Sequence, residues 1–491
     1  MLFNSFHFII FFPIVVIIYF LIPRKIRYIW LLLCSYFIYS FNNYNHTIIL
    51  ILSTILTYFT GIILEKILNK KYIREKYKKI LLFLSIILNL LLLIVFKYLP
   101  FITDNINNIF KLDLNISKFN IFLPIGISFY TFQTLSYIID IYNGKTKAEK
   151  NFLKYALFVS FFPQLVAGPI ERSSDLFKQF NKKHKFDFKN IKNGILLILW
   201  GFFLKLVIAD RTALFVNQVY NNIDLYDGLY LVIATILFSF QIYTDFNGYT
   251  SIARGSAKLM GFNLSENFNA PYLSKNVTEF WKKWHITLSN WFRDYIYIPL
   301  GGNKKGKISK YFNIFIVFII SGLWHGANWN FIVWGILNGL YIIIEQITIP
   351  IKEYIIKYFN INTKSFSHKL LLRIKTFCFI TFSWIFFRAS SLKTAFKIIK
   401  KIFKYNPIIL YDNSIYKLGI YQMEFRFLNY MLIILLFVDI LKYKKVDILK
   451  KISEQGIWLR FFIYLFLLWI ILMFGIYGVE YDENSFVYFQ F

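Results

Sequence analysis

Residues 457–478 read IWLRFFIYLFLLWIILMFGIYG, with Arg460 as their one charge. A helix rises about 1.5 Å per residue, so roughly 20 apolar residues cross the hydrocarbon core of a bilayer. The stretch is long enough to do so. Residues 6–23, 47–64, 80–99, 311–324 and 331–349 reach or approach the same length. Hydrophobic residues form 57% of the chain, above the roughly one half of a soluble domain, and they stand in runs. The chain therefore reads as all-α, a polytopic integral membrane helical bundle of about 12 crossings with re-entrant or interfacial helices. The first run has no basic segment before it and no Ala-x-Ala site after it, so it reads as a membrane helix and not a secretory signal.

The net charge of +30 could suggest nucleic acid, but its placement excludes that partner. The cations cluster between apolar runs, as in cytoplasmic loops of membrane proteins. Arg24, Lys25 and Arg27 follow the first run; Lys66, Lys70, Lys71, Arg74, Lys76, Lys78 and Lys79 follow the third. The intervening 41–45 segment is uncharged, which places the N-terminus outside the cytoplasm. From the other end, Lys442, Lys444, Lys445, Lys450 and Lys451 precede the last run, and Glu480, Asp482 and Glu483 follow it. Both termini then lie on the extracytoplasmic side of an inner or plasma membrane, in contact with membrane lipids. Cys34 and Cys378 sit in apolar runs without metal or disulfide spacing and read as packed core residues.

Residues 117–345 differ from the rest of this single transmembrane domain. Gly, Pro, Asn, Asp, Arg and His interrupt their apolar stretches, which marks a functional core with re-entrant or tilted helices. In Ser321-Gly322-Leu323-Trp324-His325-Gly326, an ionisable residue meets a helix junction in apolar surroundings. His325 can act there as a general base or serve as a hydrogen-bonded link between helices. The segment from Glu279 to Tyr295 mixes Trp281, Trp284 and Trp291 with charges and reads as an interfacial helix. His285, Asn290 and Arg293 could line a passage through it. Asp245, at the end of the run from Leu229, needs a partner such as a histidine or Arg254. Glu171-Arg172 reads as a local ion pair. The tail, 480–491, ends Phe486-Val487-Tyr488-Phe489-Gln490-Phe491. Packing alone gives no reason for Tyr488 over phenylalanine.

Together these motifs resemble the membrane-bound O-acyltransferase family, and most of all its bacterial alginate O-acetyltransferase branch. The likeness runs in order through 123–130, Gly168-Pro169, Tyr243 to Tyr249, Asn267 to Tyr272, Trp284-His285, Leu300 to Gly306, Gly322 to Ala327 and Trp384 to Ala389. It implies a bundle with a central tunnel, His325 as the catalytic histidine and His285 as the second polar position. Trp324, Asn290, Arg293 and Asp245 are then candidates for holding substrate. The resemblance implies an acyl group, acetyl in this branch, taken from cytoplasmic acetyl-CoA without a bound cofactor or metal. A polysaccharide is the implied acceptor, with an extracytoplasmic SGNH-type acetyltransferase as partner. The tail resembles the terminal motif of a small protein of teichoic acid D-alanylation, which makes Tyr488 a candidate acyl carrier. D-alanyl transfer, lipid acylation, transport through broken helices and a non-catalytic scaffold stand as alternatives.

Overall fold

A computed structural model describes residues 1–41, 43–70, 75–112, 124–404, 406–477, 486 and 487. Residues 117–123 of the expected core and Tyr488, with most of the tail, lie outside that set. The described chain is helical, without strands. Its principal helices are α1 (Phe6–Leu21), α2 (Arg27–Ser40), α3 (Tyr44–Leu68), α4 (Glu75–Leu93), α5 (Ile127–Tyr142), α6 (Phe188–Phe202), α7 (Asp210–Asn221) and α8 (Leu229–Leu259). They continue as α9 (Ile286–Phe292), α10 (Lys307–His325), α11 (Trp329–Ile347), α12 (Phe366–Arg388), α13 (Gln422–Tyr443) and α14 (Ile457–Phe474). Among the described residues, eight helical stretches are long and apolar enough to cross a bilayer; α1, at 16 residues, falls below that length. The expected count of crossings was about 12.

Several of these helices leave large apolar side chains exposed, so water is not the solvent of those faces. In α1, Phe8, Phe12, Val15 and Tyr19 pack inward while Phe6, Ile9, Ile10, Ile14 and Ile17 stay exposed. In α14 only Ile470 and Ile471 are buried. Exposed apolar surface of this extent is the face a helix gives to hydrocarbon. Cys378 belongs to such a face of α12 and is exposed, contrary to its reading as a core residue; Cys34 is buried.

The chain groups into two compact units, residues 1–198 with 249–265, and residues 199–248 with 266–491. In the first, α3 packs on α5, and the Tyr155 hydroxyl donates to Thr57 Oγ1 at 2.7 Å. The expected Glu171–Arg172 pair does not form. Glu171 accepts hydrogen bonds from Ser265 N at 2.5 Å and Ser265 Oγ at 3.1 Å, while Arg172 Nη1 lies 3.9 Å from Asp140. Burial pushes the Glu171 carboxyl up to about 7, against the pull of the Ser265 hydrogen bonds.

In the second unit, α10 and α11 form a tight hairpin. A Cβ on Gly322 would stand 2.3 Å from the Phe331 carbonyl oxygen, and one on Gly335 would stand 2.3 Å from that of Phe318. Only hydrogen at these two positions lets the backbones meet, the small-residue solution used by membrane helices. Gly335→Leu should force the hairpin apart and cost about 1–3 kcal/mol, read as a lower midpoint of thermal denaturation in detergent. An unchanged midpoint would show that the helices can separate freely.

Candidate functional site

His325 is the last residue of α10, and Gly326 turns the chain into extended backbone immediately after it. The imidazole is 6% exposed and walled by rings: Trp324 at 4.8 Å, Trp334 at 5.0 Å and Phe387 at 5.2 Å between centroids. Trp334 comes from α11 and Phe387 from α12, so the hairpin and one further helix fix the ring.

His285 is the residue before α9, with φ 43° and ψ 56°. A non-glycine residue in this left-handed region stores strain that its surroundings must hold. Asn267 supplies that hold. Its carbonyl accepts Ile286 N at 3.0 Å, and its side-chain oxygen accepts Thr287 Oγ1 at 2.7 Å. From the other side of the turn, Asn269 N donates to the Lys283 carbonyl at 3.1 Å. The His285 ring is 2% exposed, 4.8 Å from Phe246 and 6.0 Å from Trp324. The two histidines therefore flank one indole, that of Trp324, although 40 residues separate them in sequence.

The segment around His285 corrects the interfacial reading of its tryptophans. Trp284 and Trp291 are buried. Trp284 stacks against Phe280 at 5.4 Å and lies 5.1 Å from Trp384, so it is core and not a boundary anchor. Asn290 is half-buried on α9, on the same short helix that His285 begins. Arg293 is exposed, and its Nε lies 2.7 Å from Asp294 Oδ1. The structure thus brings His285, Trp324 and His325 together and leaves Arg293 with a surface partner.

Asp245 has a different partner from the one expected. Lys205 Nζ lies 2.8 Å from Asp245 Oδ1 and 2.8 Å from Asp210 Oδ1. Lys205 is 2% exposed, Asp210 6% and Asp245 1%. The lysine sits in a π-helical stretch, Phe203–Ala209, between α6 and α7, where the Asp210 amide bonds back five residues to the Lys205 carbonyl. Such wide turns often mark functional positions. The signal in sequence was a single lysine inside the apolar run 194–209, which is costly in hydrocarbon unless paired.

This π-helical stretch also receives the end of the chain. Arg211 Nη2 donates to the Phe474 carbonyl at 2.7 Å, while Arg211 Nη1 pairs with Glu424 at 2.7 Å. Ile476 N donates to the Leu206 carbonyl at 3.0 Å. Val487 N donates to Asp245 Oδ2 at 2.7 Å. Phe486 and Val487 are buried, and the Phe486 ring lies 6.2 Å from Phe246, which touches His285. The described part of the tail thus docks one aromatic ring away from His285. Among the described residues, no three His, Cys, Asp or Glu side chains cluster as a metal would require.

The sequence profile of the membrane-bound O-acyltransferase family, MBOAT, matches residues 37–392, a span that includes both histidines, Trp324 and Asp245. The chain belongs to this family. As an MBOAT protein it is a multi-pass membrane O-acyltransferase. The chain is 36% identical over 401 residues to a Pseudomonas syringae pv. tomato protein named "Probable alginate O-acetylase AlgI", covering 80% of this chain and 73% of that one. It is 34% identical over 411 residues to a peptidoglycan O-acetyltransferase of Helicobacter pylori, covering 78% and 75%. A teichoic acid D-alanyltransferase of Bacillus subtilis is 32% identical over 236 residues, 45% of this chain and 58% of that one.

Proposed function

We propose that this MBOAT protein moves an acetyl group from cytoplasmic acetyl-CoA across the membrane for O-acetylation of an extracytoplasmic polysaccharide. The observation that carries the reading is the buried pair, His285 and His325, flanking Trp324 with the tail docked beside Phe246. The long matches to O-acetylating relatives favour acetyl over D-alanyl, since the D-alanyltransferase match covers less than half of the chain.

In the proposed step, the His325 imidazole takes the proton of an acceptor hydroxyl as its oxygen attacks the thioester carbonyl. The C–S bond breaks, the ester forms, and the proton passes from the imidazolium to the leaving thiolate. His285, held in its strained turn, and Asn290 position the acyl group; Trp324 forms the wall between the histidines. Asp245 acts by fixing the tail. Arg293 is assigned to the edge of the site, where its exposure suits an anionic part of the donor.

Tyr488 is proposed as the first acceptor. It follows Val487, the residue whose amide is bound by Asp245. A tyrosyl ester has a phenol leaving group, so passing the acetyl to a sugar hydroxyl is downhill. An SGNH-type partner outside the membrane would complete that transfer. The charge of the loops supports a donor side at Arg24–Arg27 and both termini outside a bacterial inner or plasma membrane. Tyr488→Phe should abolish acetylation of the polymer while thioester hydrolysis by the purified protein persists. Polymer acetylated at the normal level in that variant would remove the tail from the reaction. A scaffold or transporter would consume no acetyl-CoA, so release of free thiol by the purified chain separates those readings from the enzyme.

A further inference from the structure

The unit of residues 1–198 and 249–265 contains a pocket of about 300 Å³. Two short segments in its wall carry four exposed cations. One follows α1 and brings Arg24 and Lys25; the other follows the helix Ser173–Asn181 and brings Lys182 and Lys183. All four side chains belong to exposed residues, and no Asp or Glu lines the pocket.

Like charges so placed repel, and something must hold the two segments together. Arg27 does so. Its Nη1 donates to the His184 carbonyl at 2.8 Å, its Nη2 to the Phe20 carbonyl at 3.1 Å and its Nε to the Ile22 carbonyl at 3.3 Å. The guanidinium spends its donors on main chain, and its face rests on Tyr19 at 4.9 Å. A second tie runs from Lys154 Nζ to Asn181 Oδ1 at 2.6 Å. The His184 ring closes the floor against Phe262 at 4.5 Å. Burial pushes this imidazole below its usual range, and the charges of Lys182 and Arg27 push it further, a sign of positive potential in the pocket. Two cations thus act as struts, and four more are held at a shared opening.

We propose that this pocket binds a phosphate ester. Phosphate offers the density of negative charge that four converging cations require, and arginine's planar fork matches its oxygens. Two sources supply that chemistry beside a membrane. The headgroup of an anionic phospholipid could sit here with its chains along the exposed Ile14, Ile17 and Leu21 of α1. A soluble nucleotide could place its phosphates at the same cations and its base on the aromatic floor.

The test uses the purified full chain in phosphatidylcholine nanodiscs, comparing wild type with a variant carrying Arg24→Gln, Lys25→Gln, Lys182→Gln and Lys183→Gln. The probes are phosphatidylglycerol in the disc, and ADP or inorganic pyrophosphate in solution. At least one probe should raise the Tm of the wild type by mass action, and its affinity should fall on the order of 100-fold in the variant. Should the fourfold change lower the unliganded Tm, the pair Lys182→Gln and Lys183→Gln alone should still weaken binding about tenfold. A shift with phosphatidylglycerol alone assigns a lipid headgroup; a shift with ADP or pyrophosphate alone assigns a soluble phosphate. No shift with any probe, or equal shifts in wild type and variants, overturns the proposal.

Discussion

His325→Ala lowers acyl transfer by about 100- to 10,000-fold, the range a positioned general base contributes. The expected result is specific to the chemical step. The imidazole is held by rings of α10, α11 and α12, and alanine would leave a space among Trp324, Trp334 and Phe387 without separating the Gly322 and Gly335 contacts. The variant should therefore insert into membranes and purify as wild type does. Thiol release from acetyl-CoA and acetyl content of the polymer are the measurements. Turnover retained at the wild-type rate would leave His325 as a packing residue. The same assay on His285→Ala should show a smaller loss of kcat with a rise in KM, since that ring is assigned to position the acyl group.

The largest effect on stability is expected at Lys205. Lys205→Met leaves Asp210 and Asp245 buried without the ammonium that lies 2.8 Å from each. Removing one partner of a buried ion pair costs about 3–5 kcal/mol, because the remaining charge keeps its desolvation penalty. The midpoint of thermal denaturation in detergent should fall accordingly. Converting both aspartates to asparagine in the same chain should restore much of the loss, since the charges vanish together. Acetyl transfer should stay low in that triple variant if Asp245 must accept from the Val487 amide as a carboxylate. A midpoint unmoved by Lys205→Met would mean that the triad is wet and of little energetic weight.

The membrane class and the position of His325 were legible because bilayers impose strict rules on sequence. An apolar run of some 20 residues has few other uses, and a histidine placed against one stands out. His325 emerged by that contrast, whereas His285, set among tryptophans and charges, was singled out by the family resemblance. Their common neighbour, Trp324, adjoins one of them in the chain, but its contact with His285 needs the fold. The triad escaped for a similar reason. Lys205 and Asp245 are 40 residues apart on different helices, and nothing local tells one lysine in an apolar run which carboxylate it will meet. Arg254 was nearer to Asp245 in sequence, and proximity along the chain was a poor guide. Tryptophans misled in the opposite direction. Trp284 has the polar neighbours of a boundary residue, yet the left-handed turn at His285 folds it into a cluster with Phe280 and Trp384. Cys378 escaped because an apolar run does not say which of its sides meets hydrocarbon.

The guanidinium of Arg211, the carbonyl of Leu206 and the carboxylate of Asp245 bind the last stretch of chain at three successive points. Because that stretch is covalently continuous with α14, its encounter with the site is intramolecular. A short tether of this kind acts as a local concentration in the millimolar range, so each bond can be individually weak. On the role proposed for Tyr488, a segment held that way would let go and return within one catalytic cycle. An equivalent free peptide would need to be supplied at comparable concentration to take its place.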